Sequence, residues 1–342
     1  MVLKNCYRIN QKQYSTQSPL SQGNLGMASY TQISSTEAED ILKLYGRENV
    51  LKLTPLSLGI SNSNYRVDLA HESVLLKISN DKNQVQLAEE QAILLYLSKK
   101  AYPYSLKPFE LKNGELVYHY GRYFGVLYPF VIGIPPGPSD YTCQEVGAAL
   151  AKLHGIKHDG AELTKLRPHE SVGFGPIEIL AYAQSAICPS DYREAFDFFF
   201  PDQLKAFLAA PLEKGIIHGD LYYDNTLFDN NHLSTVLDFE QAGIGEYLLD
   251  LGISLSGTCL EKGRIITPLV NSYLSGYEAI RKLNEIEKEF LDSAIILGLM
   301  SISLWRIKRF KERNLNPLME NSYRDLIVRA KDYYLMKQIE NN

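Results

Sequence analysis

The chain has 342 residues, 45% of them hydrophobic and 22% charged, a globular mix long enough for about two domains of ~150 residues, which excludes disordered and fibrous classes. Lys and Arg total 35 against 40 Asp and Glu, so the net charge is −5, and no basic excess points to nucleic acid or an anionic membrane. The longest apolar stretch, 294–305, is too short to cross a bilayer, and Cys6, Cys143, Cys188 and Cys259 are scattered with no C-x-x-C, which suits the reduced thiols of a cytoplasmic protein.

Residues 1–26 carry Lys4, Arg8 and Lys12 but no acid, and they show no apolar periodicity. The expectation is a disordered extension, with Met27 as an alternative start. From Ser34 the pattern sharpens. Thr36, Glu37 and Glu39 suit a helix start leading to Ile41, Leu42 and Leu44, although Ser35 followed by Ala38 lacks the acid of a capping box. Strands are predicted over 50–56, 65–69 and 74–79, with a polar loop at 57–63. The stripe of Leu87, Leu94 and Leu97 predicts a helix over 84–99. Strands at 115–120 and 122–128 follow. The Pro/Gly cluster at 129–138 marks the boundary between an N-terminal lobe, 27–132, and a C-terminal lobe, 133–342. Beyond it, Thr142-Cys143-Gln144-Glu145 reads as a capping box for a helix that Gly155 stops, a hairpin spans 218–239, and long helical patterns fill 268–336. The expected class is α+β, a small antiparallel sheet lobe with one main helix joined to a larger, mostly helical lobe.

The informative segment is His218-Gly219-Asp220-Leu221-Tyr222-Tyr223-Asp224-Asn225, followed by a short apolar strand, an Asp/Asn turn centred between Asn230 and Asn231, and a return strand ending in Asp238-Phe239-Glu240. An antiparallel return places Asp238 level with residues 223–225, so the hairpin gathers Asp220, Asn225 and Asp238 at one end. Two carboxylates and an amide carbonyl are hard oxygen ligands suited to Mg²⁺, which completes its shell with water and phosphate oxygens. Phosphoryl transfer asks for such a set: metal to neutralise the phosphates, and a carboxylate to orient the acceptor hydroxyl and take its proton. Asp220 fits the base, Asn225 and Asp238 the metal ligands, and His218 shapes the loop through hydrogen bonds. An ordinary solvated β-turn and hairpin is the plain alternative.

Lys77 is a charge in the otherwise apolar strand Val74-Leu75-Leu76-Lys77-Ile78, and burying it is costly unless it is paired. Glu90 lies on the inward stripe of the next helix, so the two explain each other as a pair that holds the ammonium against ATP phosphates; Glu89, one step round, is the weaker partner. The loop Gly59-Ile60-Ser61-Asn62-Ser63-Asn64 lies where a phosphate-covering turn belongs, and Ser61, Asn62 and Ser63 could donate to phosphate, although a plain hairpin loop fits as well. Tyr128 and Phe130, at the lobe boundary, complete the nucleotide-binding candidates. Gly219 stands where protein kinases place an arginine, Asp238-Phe239-Glu240 replaces D-F-G and A-P-E is absent, which favours a small-molecule acceptor over a protein. Asp250, an acid among apolar residues, is expected to be buried and bonded to the catalytic loop.

These residues resemble the aminoglycoside phosphotransferase and choline kinase superfamily, and within it the type II homoserine kinases. The likeness is carried by the H-G-D-x4-N and D-F-E hairpin, by Gly59-Ile60-Ser61-Asn62-Ser63-Asn64-Tyr65, by Gly276-Tyr277-Glu278-Ala279-Ile280-Arg281-Lys282-Leu283, and by Trp305-Arg306 with Arg309-Phe310. The resemblance implies a protein-kinase-like two-lobed fold and a cytoplasmic, ATP- and Mg²⁺-dependent kinase of a small hydroxyl acceptor, monomeric or homodimeric. The chain departs from homoserine kinases in Glu240, which is similar to choline kinases, and in having Lys77. Homoserine would ask for an arginine fork on its carboxylate, with Arg306 or Arg309 as candidates, and for Glu240 on its ammonium; Tyr223 is a further acceptor-side candidate. Choline would instead call for an aromatic cage, for which Tyr222 and Tyr223 beside Asp220 are placed. Choline, ethanolamine and amino sugars therefore stay open as acceptors, as does a catalytically silent kinase-fold binding protein.

Overall fold

The computed structural model describes residues 30–56, 62–200, 203–313 and 316–340. The predicted extension 1–26, the alternative start at Met27 and the loop residues Gly59, Ile60 and Ser61 lie outside the described residues.

The N-terminal lobe is a five-stranded antiparallel sheet in the order β1-β2-β3-β5-β4, built from β1 (Lys52–Leu56), β2 (Asn62–Asp68), β3 (Ser73–Ser79), β4 (Tyr118–Tyr120) and β5 (Tyr123–Pro129). Strand alternation divides its faces. Val74, Leu76 and Ile78 point to one side and pack with Ala38, Ile41 and Leu42 of α1 (Ser35–Leu44). Lys77 points to the other, where α2 (Gln84–Lys99) lies with Leu87, Leu94 and Leu97 buried. The sheet therefore carries α1 and the main helix α2 on opposite faces. The cap of α1 sits one residue earlier than the sequence reading tested: Ser34 and Glu37 form the reciprocal box. Strand β4 is shorter than expected because Leu111 and Glu115 close a turn, with Leu111 N donating to Glu115 O at 2.7 Å.

After the Pro/Gly segment, α3 (Asp140–His154) starts ahead of the predicted box. Ser139, extended behind Pro138, caps it, and Thr142 supplies the reciprocal hydroxyl, so the acid in the first turn is Asp140. Short helices α4 (Gly160–Leu163), α5 (Pro176–Ala183), α6 (Ser190–Phe199) and α7 (Gln203–Ala209) lead to the antiparallel pair β6 (Lys214–Ile217) with β9 (Gly243–Glu246). Between these two runs the hairpin of β7 (Thr226–Asp229) and β8 (His232–Val236). Asn230 and Asn231 both take positive φ in its two-residue turn, the conformation this hairpin type requires. Helix α8 (Tyr247–Thr258), the small pair β10 (Leu260–Glu261) and β11 (Arg264–Ile265), α9 (Thr267–Glu278), α10 (Glu285–Arg306) and α11 (Tyr323–Glu340) complete the lobe.

Helix α10 continues as a π-helical turn, Ile307–Glu312, so the helical run is longer than its apolar stretch and is by length and composition long enough to cross a membrane. Most of its apolar window is buried in the fold, against α8 and α11, as in the core helix of a globular lobe. Helices α3 and α9 pack closely because Gly276 has no side chain: a Cβ there would lie 2.0 Å from Gln144 O. We expect Gly276→Val to force these helices apart and cost about 3 kcal/mol. Thermal unfolding checks this; an unchanged Tm would contradict the packing.

Candidate active site

The loop after β6 is held from beneath. Asp250, buried in the first turn of α8, accepts the His218 and Gly219 backbone N–H groups, both at 2.8 Å. Its Oδ2 also lies 3.0 Å from His154 Nε2, and His154 Nδ1 lies 2.7 Å from the Tyr277 hydroxyl. Arg281 continues the chain, donating to Tyr277 and to Glu287. The Gly276-Tyr277 segment, with Arg281, thus braces Asp250. His154 is a buried strut that the motifs did not single out; its place four residues after Leu150 on the apolar face of α3 was the available signal. Burial holds the His154 and His218 imidazoles below their ordinary range.

Gly219 turns the loop with φ +77°, and Asp220 follows. The Asp220 backbone N–H donates to His218 Nδ1 at 3.2 Å, which leaves Nε2–H to donate to Leu237 O at 2.9 Å. His218 is therefore neutral and ties the loop to the return strand. Asn225 Nδ2 donates to Asp220 O at 2.8 Å and to Asp220 Oδ2 at 3.3 Å, while Leu237 N donates to Asn225 O. The amide oxygen of Asn225 keeps its acceptor character. Asp238, the next residue, sits in the left-handed region at φ 60°, ψ 63°, a strained conformation for a non-glycine residue. Three sequence-distant groups, Asp220, Asn225 and Asp238, thus come to one end of the hairpin.

Across from them stands a charge cluster. Lys77 Nζ is 3.5 Å from Glu90 and 3.1 Å from Glu240, and Lys82 Nζ is 2.5 Å from Glu90 and 3.3 Å from Glu240. Asn62 Nδ2 also donates to Glu240. Burial opposes the charge of Lys77, but Glu90, Glu240 and Asp238 outweigh it and raise its pKa. Burial likewise opposes ionisation of Glu240, but Lys77 and Lys82 outweigh it and hold that carboxyl low. Asp220 is pushed well above its usual range by burial and then by Asp238, Asp224 and Glu240, and Asp238 is raised by its surroundings and by Glu240. Crowded carboxylates of this kind are what a divalent cation relieves. Among the described residues no cage of three or more His, Cys, Asp or Glu occurs. The set instead fits a cation held by Asn225 and Asp238, with its remaining shell from phosphate and water.

The other candidates are placed as follows. Tyr128 is buried beside the Lys77 and Glu90 charges, and its hydroxyl donates to Gln91 at 2.7 Å. Phe130 lies under the Arg66 guanidinium, and Ser63 accepts from Thr31 N at 2.7 Å. Glu240 is turned to the lysine cluster rather than set apart for an acceptor's ammonium. Arg309, the other candidate for the acceptor's carboxylate, reaches across to Asp81 at 3.0 Å and lies over Trp305, which ties it to the small lobe. Arg306 donates to Ser322 O and acts electrostatically on Tyr222, and Arg329 shares the field of Arg306, Tyr222 and Tyr223. Sequence reasoning missed Lys82 and Arg329. Lys82 had a signal, a cation just ahead of the α2 cap, whereas Arg329 comes from a helix remote in sequence.

Residues 52–283 match the model of the phosphotransferase enzyme family. The chain belongs to that family. It is 27% identical over 294 residues to the homoserine kinase of Beijerinckia indica, covering 82% of this chain and 88% of that one. It is 26% identical over 313 residues to the homoserine kinase of Neisseria meningitidis, covering 88% and 99%. In structure it is similar to an amicoumacin kinase in complex with AMP-PNP and Ca²⁺, with TM-score 0.67, 15% identity and coverage of 88% and 94%. A microcompartment-associated aminopropanol kinase gives TM-score 0.61 at 18% identity, covering 89% and 98%. The fold of this phosphotransferase is thus the two-lobed, protein-kinase-like one, and the enzyme is of the class that phosphorylates alcohols.

The raised Asp238 carboxyl makes a stability prediction. A folded-state pKa above the unfolded value means the folded state binds more protons between the two, so stability falls as pH rises through that window. We expect Asp238→Asn, at pH 8 without metal, to raise Tm by roughly 1–3 °C, the effect of ~1 kcal/mol or less once the carboxylate's access to water is allowed for. The gain should vanish near pH 4; a lowered Tm at pH 8 would contradict the crowding.

Proposed function

We propose that this phosphotransferase is an ATP- and Mg²⁺-dependent kinase acting on the hydroxyl of homoserine or a closely similar amino alcohol. The observation that carries the reading is the meeting of Asp220 and the Asn225/Asp238 pair with the Lys77, Lys82 and Glu90 cluster. The homoserine kinases among its relatives support the choice of acceptor. On this reading Lys77 and Lys82 receive the ATP phosphates, with Glu90 fixing both ammonium groups, and Asn62 and Ser63 border them. Asn225 and Asp238 would hold Mg²⁺, which when bound neutralises the phosphate oxygens. Asp220 accepts a hydrogen bond from the acceptor hydroxyl and takes its proton as the new O–P bond forms and the bond from the γ-phosphorus to the β–γ bridging oxygen of ATP breaks. Its raised pKa makes it a stronger base than an ordinary aspartate. Arg306 and Arg329 supply positive field beside Tyr222 and Tyr223, where an α-carboxylate would sit. A cytoplasmic setting belongs to the proposal and is supported by the free thiols of Cys143, Cys188 and Cys259.

Asp220→Asn should lower kcat by about 10³-fold while Mg²⁺-nucleotide binding, followed by thermal shift, persists. Unchanged turnover would refute the base. An ADP-release assay over homoserine, choline, ethanolamine and amino sugars should give the highest kcat/KM with homoserine; preference for an acceptor without a carboxylate would overturn that choice. Arg306→Met should raise the homoserine KM roughly 10- to 100-fold, the loss of one charge-assisted contact, and leave the ATP KM within twofold. An unmoved homoserine KM would remove Arg306 from the pocket.

A further inference from the structure

The segment between α4 and α5 is drawn onto both catalytic loops. Arg167, 6% exposed, donates from Nε to Ala242 O at 2.8 Å and from Nη2 to Glu240 O at 2.8 Å and Phe239 O at 3.3 Å. Its Nη1 donates to Gln86 O at 3.2 Å. The first three acceptors follow Asp238; the fourth lies in the first turn of α2, one turn before Glu90. The backbone is fastened too, with Ile244 N donating to Arg167 O and Pro168 bridging Ile244 in parallel. His169 is buried, and its Nδ1, 2.8 Å from Gln241 O, must donate to that carbonyl. Its ring closes on the HGD loop: a Cβ at Gly219 would come within 2.7 Å of His169 Cε1.

A buried guanidinium is costly unless its donors are met, and the ordinary answer is a carboxylate. Arg167 is met by backbone carbonyls from two lobes, and its rigid, planar fork suits that task in a way a lysine's single ammonium does not. Side chains on those carbonyls' residues can change without loss of the bonds, so what the arginine fixes is the course of the main chain.

We infer that Arg167 is a positioning residue that sets the loop carrying Asp238 and Glu240 against helix α2, so that the cation-binding carboxylate and the Glu90 end of the phosphate cluster are placed by one side chain. The inference rests on the function proposed above. It makes the two lobes' contributions to the nucleotide site interdependent: loosening Arg167 misplaces Asp238 and Glu90 together and leaves the acceptor pocket alone.

The test uses the full chain with Arg167→Lys and Arg167→Met, each measured for Tm, kcat, both KM values and the Mg²⁺ concentration giving half-maximal rate. The expected result for Arg167→Lys is a folded protein whose kcat falls at least 20-fold. Its Mg²⁺ half-saturation should rise at least fivefold, with the acceptor KM within twofold. Arg167→Met should lose more and regain activity with added methylguanidinium. Should the Met variant not fold, the Lys variant carries the test alone. A Lys variant whose rate drops only with its folded fraction, at unchanged Mg²⁺ half-saturation, overturns the inference and leaves the kinase reading intact. An unsubstituted protein with neither turnover nor a Mg²⁺-nucleotide thermal shift overturns both.

Discussion

The cleft is organised by a conflict of charge. Glu90 from a helix of the small lobe, Asp220 from a loop, and Asp238 and Glu240 from the end of a hairpin converge on one region, and Lys77 and Lys82 stand against them. Asp220 and Asp238, left without a counter-charge of their own, are driven toward their protonated forms, and Lys77 is held as a cation by Glu90, Glu240 and Asp238. Such an arrangement is poorly suited to stability. On the proposed function it is well suited to a ligand that brings a divalent cation among the acids and phosphates to the lysines.

The surroundings hold these groups in place through neutral groups and through charges met by hydrogen bonds. Asp250 carries a negative charge beneath the HGD loop, but it is consumed by two backbone N–H groups and His154. His218 is neutral and serves as a spacer between loop and hairpin. Asp238 takes a left-handed conformation, and the carbonyls that follow it are fastened by Arg167. Rigid, neutral or fully satisfied supports around a deliberately unsatisfied centre are the pattern expected of a site that needs preorganisation.

Much of this was legible from local pattern. The cost of an unpaired charge in an apolar strand pointed Lys77 to the inward Glu90 of the next helix, and the turn centred between Asn230 and Asn231 brought Asp238 level with residues 223–225. The helix 84–99 was readable to the residue, because its apolar stripe and the break before it agree. What was not legible depends on contacts far apart in sequence. Glu240 could be numbered as an acid but not assigned to lysines until the lobes were in place, and Arg309 could not be seen to spend its charge on Asp81. Arg167 carries no motif of its own, since its partners are main-chain carbonyls that any sequence supplies. Helix starts moved by one to three residues where a hydroxyl took the reciprocal capping role usually given to an acid, as Thr142 does, or where the box lay one residue upstream, at Ser34.

The central claim of the proposal is that Asp238, whose carboxyl is pushed up to about 7 by its surroundings and by Glu240, gives up its proton share when a divalent cation enters the site. Calorimetric titration with ADP already saturated with Mg²⁺, repeated at pH 7 in buffers of different ionisation enthalpy, reads that displacement directly. The account predicts net proton release on binding, lost when Asp238 is replaced by asparagine. Binding with no proton release, or release that survives the replacement, would contradict it.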